Sequence, residues 1–473
     1  YKGSLDIMLL LGNSDPGYDA VWPANSLWIT LGDTRHIVKN LESIMRSPVV
    51  LGVRRSVAEQ LNWVGRDVKV EDILQAAESG ELRMMMTSAT QSNSGASAYF
   101  GYLYAFAGNP EVLTGEHLQD PQVRDKIKRI LGTINRSSES SGFLKDLFLS
   151  QYDQYDAMVN YESVIIEANQ QLVREGREPL YAVYPADGLA IADSPLGYVD
   201  RGDAKKQALF DKLQDYLLSD AVQKEILGHG RRTGMIGLTP RDMDPKVFNP
   251  DWGIDVQRVI VPIKFPQAQV IREALDLYQT AFRKGSFTVY CLDFSGSMGE
   301  NHGAEQLKEA MKTLLNQQTA RQYLLQASPD DINVVLLFNH EVINRAEVEQ
   351  WTVQGNDPAQ LQELYRRIEA RKPNGNTNIY DPVIMGLEIM QQKGLGNRLP
   401  AIILMTDGMS NRGSYEDLTA AWQRLGLNVP VYAITFGDAD VSQLKGITAL
   451  TAGQIFDGRK DLIAAFRKAR GNN

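Results

Sequence analysis

The chain has 473 residues, 43% of them hydrophobic and 23% charged, with a formal net charge of -9. That is ordinary globular composition, long enough for about two to four domains, and the acidic balance without a block of like charges argues against nucleic acid as a partner. One cysteine, Cys291, excludes an internal disulfide framework, and no apolar run approaches the roughly 18 residues needed to span a bilayer.

From Tyr1 to about Gly285, short β-prone runs alternate with helical segments, which predicts an α/β region with a largely parallel sheet. Residues 18–29 read as a strand entering a turn, 47–63 as a strand then a helix, and 81–108 as a strand, a hydroxyl-rich loop and a helix. A similar run of hydroxyls leads into an amphipathic helix at 137–149, and 160–188 supplies a helix followed by a strand. The stripe Leu209, Leu213, Tyr216, Leu217, Val222 and Ile226 predicts a longer surface helix with one buried face. Hydroxyls and free backbone N–H groups at helix starts can hold an anion or a polar ligand, and the competing reading of each is helix capping. Arg201-Gly202-Asp203 sits in a polar turn, where a three-residue adhesion match is more often chance. Residues 240–266 carry several Pro and Asp turn signals and read as a strap, followed by a helix with an apolar face through Val270, Ala274 and Tyr278.

The segments DAVWPANSLW, SPVVLGV, TSATQSNSGASA, NYESVIIEAN, LYAVYPADGLAIADSPLGY and GRRTG resemble those of type 2 bacterial extracellular solute-binding proteins, the two-lobed class that hands ligands to transporters. The resemblance implies a cleft between lobes, with Thr87, Ser88, Ser92, Ser94, Ser141, Tyr161 and Asp187 as candidate lining residues, and an extracytoplasmic location in the periplasm or at the cell surface.

From residue 286 the alternation becomes regular. Strands are predicted at 287–292, 332–338, 400–406, 430–436 and 454–457, with an antiparallel edge near 341–348, and helices at 303–325, 358–370, 379–392, 415–425, 441–449 and 459–469. The expected domains are 1–265, a linker helix over 266–285, and a doubly wound domain over 286–473. At the end of its first strand the chain reads Asp293-Phe-Ser295-Gly-Ser297; Thr377 follows in a turn-rich loop, and Asp407 closes a later strand. Carboxylates and hydroxyls so arranged can converge on one oxygen-loving cation. The competing reading is a turn at Ser295, a cap at Thr377 and a strand end at Asp407.

This order of residues resembles the metal-ion-dependent adhesion site (MIDAS) of von Willebrand factor A domains, and the resemblance covers the whole region from 286. It implies a doubly wound, Rossmann-like fold and a metal held by Asp293, Ser295, Ser297, Thr377 and Asp407, with Mg²⁺ the expected ion and Mn²⁺ or Ca²⁺ as alternatives. Neutral hydroxyl ligands would leave that ion with much of its charge, so that an acidic side chain of a protein partner completes its coordination. Met298, His340, Met409, Ser410 and Asn411 are candidates for the rim, with surface accident the favoured competing reading of each. The expected function is a non-enzymatic binding protein with a small ligand or second partner on the first region. The alternatives are a solute receptor of a transport system and an assembly factor working with an ATPase. An enzyme is disfavoured because the site has no placed general base.

Overall fold

The computed structural model describes residues 3–234, 243–256, 261–300, 302–436, 441–459 and 461–472. The chain divides into two compact units, Tyr1–Leu275 and Asp276–Asn473, and the division falls within the helix Ala268–Leu277. Of the strap expected over 240–266, residues 240–242 and 257–260 lie outside the described residues, and the rest contains a single 3₁₀ turn, Pro250–Trp252.

The first unit is built on two sheets. Its strands are β1 (Ala20–Val21), β2 (Val38–Ser43), β3 (Ser47–Arg54), β4 (Met84–Thr87), β5 (Ile134–Ser138), β6 (Ala157–Tyr161), β7 (Leu180–Val183), β8 (Ile191–Ala192) and β9 (Pro195–Val199). One lobe holds the antiparallel sheet β1-β9-β2, and the other holds β5-β4-β6-β3-β7. The second sheet is mixed rather than largely parallel. β4 runs parallel to β5 and β6, but β3 runs antiparallel to β6 and β7 because it enters from the other lobe. The chain crosses between lobes at 43–47 and at 191–195, and these crossings lie side by side: Ser47 pairs with Ala192, and Ile44 N donates to the Ser194 carbonyl at 3.4 Å. A third segment joins them, since Arg46 N donates to Arg232 O at 2.7 Å and Arg232 N to Arg46 O at 2.9 Å.

Several helices stand where the sequence predicted none, among them Val70–Glu78 and Pro121–Gly132. Ser4–Gly12 is an additional helix at the start, and the predicted long helix is two, Ala204–Leu217 and Asp220–Gly228. The first part of the predicted apolar stripe does not face inward, with Leu209 69% exposed and Tyr216 64%, whereas Leu217 and Ile226 pack against the core. Phe210 and Gln214 are buried instead, one residue round the helix. Phe210 packs on Tyr198 with ring centroids 5.5 Å apart, and the Gln214 amide donates to Asn40 O at 2.7 Å and Leu196 O at 3.1 Å, so a polar anchor sets the helix rotation.

The second unit contains β10 (Ser286–Asp293), β11 (Ile332–Phe338), β12 (Thr352–Gln354), β13 (Leu399–Thr406), β14 (Val431–Thr435) and β15 (Gln454–Asp457), in the order β12-β11-β10-β13-β14-β15. All neighbours are parallel except β12 on β11. Every residue of β10 is buried, as expected of a parallel strand covered on both faces. Tyr290 and Leu292 join one core with Leu307, Leu364 and Phe466, while Val289 and Cys291 join another with Val383, Leu418 and Ile447.

Two boundaries differ from expectation. The helix predicted over 303–325 stops at Leu315, because Asn316 is extended and its side chain caps a new helix, Gln317–Gln322, by accepting from Thr319 N at 3.0 Å. The edge strand is Thr352–Gln354 rather than 341–348. There the Asn344 side chain occupies the ladder positions itself, accepting from Leu337 N and donating to Val335 O at 2.9 Å each, and the chain turns into 3₁₀ structure at Arg345–Trp351.

Candidate metal centre and ligand cavity

The winding of the second unit reverses between β10 and its neighbour β13, so the carboxyl ends of those two strands bound a crevice, the usual ligand position of such sheets. Asp293 ends β10 there and is wholly buried. Its Oδ1 accepts from Ser295 N at 2.8 Å and its Oδ2 from Thr406 Oγ1 at 2.6 Å. A 3₁₀ turn over Gly296–Gly299 then carries Ser297 back over the strand end. Ser295 Oγ and Ser297 Oγ lie 3.2 Å apart, and Ser297 Oγ donates to Asp407 Oδ1 at 2.9 Å. Four of the five predicted metal residues are thus joined in one hydrogen-bonded string.

The fifth, Thr377, arrives on a loop stapled to the same edge. Gly296 N donates to Gly375 O at 2.9 Å, Asn374 N to Phe294 O at 2.8 Å, and Asn378 N to Asn339 O at 2.7 Å. Asn411 Oδ1 accepts from Thr377 N at 3.2 Å, and Thr377 O accepts from Asn411 N at 3.0 Å and Ser410 Oγ at 3.2 Å. Gly375 has φ +79°, and a side chain there would meet His340 Nδ1 at 3.0 Å as well as strain the backbone. Ser410 and Asn411 therefore anchor the Thr377 loop. His340 and Met409 are exposed as expected of a rim, whereas Met298 is fully buried in the core and leaves the predicted rim set. Thr406, which the sequence reading passed over, is the residue that orients Asp293; its signal was its place directly before Asp407 at a strand end.

The electrostatics favour a cation. Burial pushes the Asp293 carboxyl up to about 6 despite the hydrogen bonds from Thr406 and Ser295, and burial also raises Asp407, against the hydrogen bond from Ser297. No basic side chain contributes to either shift. Among the described residues no cluster of three or more His, Cys, Asp or Glu forms a metal cage. The donor set is instead two carboxylates and neutral hydroxyls, all oxygen, which fits a hard divalent ion.

In the first unit a cavity of about 330 Å³ opens where the crossing segments meet. Of the residues expected to line a cleft, Ser141 and Tyr161 are on its wall. Ser92 and Ser94 stand behind Ser141, at 3.2 and 2.8 Å from its Oγ, and Thr87 Oγ1 lies 2.8 Å from Ser94 Oγ. Ser88 is buried against Thr90 at 3.3 Å. Asp187 is elsewhere: its Oδ1 accepts from Val70 N at 2.8 Å, at the start of the helix Val70–Glu78. The sequence reading missed Trp22, Arg46 and Arg231, all on the wall; Arg231 was visible only as part of the GRRTG segment.

A two-lobed α/β unit with a cavity at its crossings, followed by a doubly wound unit with an acid and hydroxyl crevice, defines a protein built from two binding modules. Residues 1–232 match the family model for bacterial extracellular solute-binding proteins, and residues 289–461 match that for the von Willebrand factor type A domain. The chain joins a solute-binding domain to a von Willebrand factor type A domain. No curated protein sequence matches it. Among solved structures, a von Willebrand factor type A protein from Catenulispora acidiphila is 19% identical, covering 41% of this chain and 43% of its own, with a TM-score of 0.34. Proximal thread matrix protein 1 from the mussel byssus, solved with a zinc-occupied MIDAS motif, is 18% identical over 43% of this chain and 50% of its own, TM-score 0.29. The periplasmic binding protein AfuA from Actinobacillus pleuropneumoniae is 11% identical over 48% of this chain and 72% of its own, TM-score 0.36. The chain thus spans half or less of the length of the first two. No helix among the described residues is long and apolar enough to cross a membrane.

Proposed function

We propose that this chain is a non-enzymatic, extracytoplasmic binding protein whose second domain holds an acidic side chain of a protein partner through a divalent cation, while its first domain binds a small ligand. The observation that carries the reading is Asp293, a wholly buried carboxylate fixed by Thr406 and Ser295, with no basic side chain among the described residues shifting its charge and two serine hydroxyls in line with Asp407. Ser295, Ser297 and Thr377 would hold the ion through hydroxyl oxygens, with Asp293 and Asp407 placing its waters; Mg²⁺ suits such a set. The bound ion would supply a strong attraction for a carboxylate from outside. This chain's residues hold the Ser295 and Ser297 hydroxyls 3.2 Å apart, and Met409 and His340 are exposed to meet the partner.

The test is calorimetric titration of the full chain with Mg²⁺, Mn²⁺ and Ca²⁺, together with partner capture from envelope extracts with and without EDTA. One ion per chain, lost in Asp293→Ala, and capture that EDTA abolishes are expected. Capture that ignores both EDTA and the substitution overturns the reading. The cavity at the lobe crossings favours a second role in the same molecule, that of a solute receptor.

A further inference from the structure

We infer that the cavity of the first domain takes a small organic oxoanion, a molecule with a carboxylate or phosphate head and an apolar or ring-shaped body. The inference rests on the solute-binding reading above and fixes the ligand's chemical class.

Among the described residues the wall carries two guanidinium side chains, Arg46 and Arg231, and no Asp, Glu, Lys or His. Arg46 Nη1 donates to the Gly234 carbonyl, and Arg231 Nη1 donates to the His229 carbonyl at 3.1 Å. Among the described residues neither is paired with a carboxylate. Carbonyl oxygens accept one N–H each and leave the charge and the remaining donors of a five-donor group available. The next residue along the chain shows the opposite treatment. Arg232 is clamped by the wholly buried Glu162, Nε to Oε1 at 2.8 Å and Nη2 to Oε2 at 2.7 Å. Two other acids stand next to wall residues along the chain: Asp193 is turned to Ser26 N at 2.9 Å, and Asp6 Oδ2 accepts from Gly3 N at 3.1 Å. The fold thus neutralises the arginine behind the cavity and leaves the two on its wall for something else to neutralise.

Backbone dipoles add to the same sign. The helices Ser4–Gly12, Ser141–Ser150 and Glu162–Arg174 each place a residue of their first turn on the wall, namely Ser4, Ser141 and Ser163. Helix starts carry partial positive charge and N–H groups not used within the helix. Some of these groups are already used: Ser163 N donates to Ser47 Oγ at 3.2 Å, and Phe143 N donates to Ser140 Oγ at 3.3 Å.

The rest of the wall sets the body of the ligand. Ile7, Trp22, Pro23, Met45 and Val164 form an apolar surface, and Trp22 is oriented by the hydrogen bond from its Nε1 to Ser194 O at 3.0 Å. A bare inorganic anion would leave that surface against water. A volume of about 330 Å³ lies at the small end of ligand pockets, which limits the body to about one ring or a short chain.

The experiment is calorimetry on the full chain in EDTA, which silences the metal centre, with phenyl phosphate, benzoate, inorganic phosphate, benzyl alcohol and the cation benzamidine as probes. Phenyl phosphate or benzoate should bind, whichever is favoured identifying the head as phosphate or carboxylate, and inorganic phosphate should bind at least tenfold more weakly. Arg46→Gln and Arg231→Gln should each weaken the favoured anion tenfold or more, with Arg231→Lys in between and thermal midpoints unchanged. Binding of benzamidine or benzyl alcohol without the anions overturns the ligand class while the solute-binding reading stands. No binding by any probe overturns both, and inorganic phosphate binding as tightly as phenyl phosphate overturns the organic body.

Discussion

Two buried aspartates sit at opposite ends of the same sheet, and the chain treats them differently. Asp331, just before β11, is 1% exposed and meets two cations: both Arg283 Nη atoms, and Arg470 Nη2 at 3.3 Å. It also accepts from Ser286 N and Ser328 N at 2.8 Å each. Burial alone would raise its carboxyl, but Arg283 and Arg470 pull it down to about 2. Asp293, at the far end of β10, is as deeply buried and receives only neutral donors. Where a carboxylate holds the sheet to the C-terminal helix, the sequence supplies its counter-charge. Where a carboxylate faces the crevice, none of its hydrogen-bond donors is charged, and in the proposed function a cation supplies the counter-charge.

That contrast can be broken at either end. The largest expected effect is at Asp331, where replacement by Asn leaves two buried guanidinium groups without their acid. A loss of roughly 3–5 kcal/mol is expected, read by urea unfolding of the full chain with hydrogen exchange across β10 and β11. A loss below about 1 kcal/mol would remove the structural role. The same pair predicts an acid limb. Because the Asp331 carboxyl is lowered, its contribution is fully present above about pH 4 and is lost as pH falls toward 2, about 2 kcal/mol in all. Thermal midpoints between pH 5 and pH 2 check it, and Asp331→Asn should flatten the slope. At the other end, Thr406→Val removes the hydroxyl that orients Asp293 and should weaken Mg²⁺ binding about 10- to 100-fold in calorimetry. The smallest effect belongs to a surface carboxylate with neither role. Asp203 of Arg201-Gly202-Asp203 accepts from Lys205 N at 3.0 Å and Lys206 N at 3.1 Å as the cap of Ala204–Leu217, so Asp203→Ala should cost about 1 kcal/mol of local stability by hydrogen exchange. Receptor adhesion lost in that variant with the helix intact would give the tripeptide a role beyond capping.

The second domain was more legible than the first, for a physical reason. Asp293, Ser295 and Ser297 lie within five residues at the end of a continuous apolar strand, so local pattern alone proposes their convergence. Strand order follows from regular alternation, and with it the place of Asp407. Thr406 was missed because a buried threonine in a strand looks like any β-former until its hydroxyl partner is known. In the first domain the wall of the cavity comes from segments about 20 to 230 residues apart, and Arg46 and Arg231 meet there only because three chain crossings align. No local period encodes that. Strand direction was equally hidden: β3 reads as a buried strand in either sense, and only its entry from the other lobe makes it antiparallel to β6 and β7. The exposed stripe of Leu209, Leu213 and Tyr216 shows that spacing locates an apolar face without saying which side is covered.

Cys291 is the sole cysteine and lies wholly buried in the middle of β10, its Sγ against Pro382 O at 3.5 Å, where burial pushes the thiol far above its usual range. Alkylating reagents, which attack the thiolate, should therefore leave the native chain untouched. A cysteine engineered at Met409, which is 57% exposed, becomes the one reactive sulfhydryl of the molecule. A dye attached there would stand next to Gly408 and Asp407 and change its emission when a partner docks, so occupancy can be followed optically without first deleting a native residue.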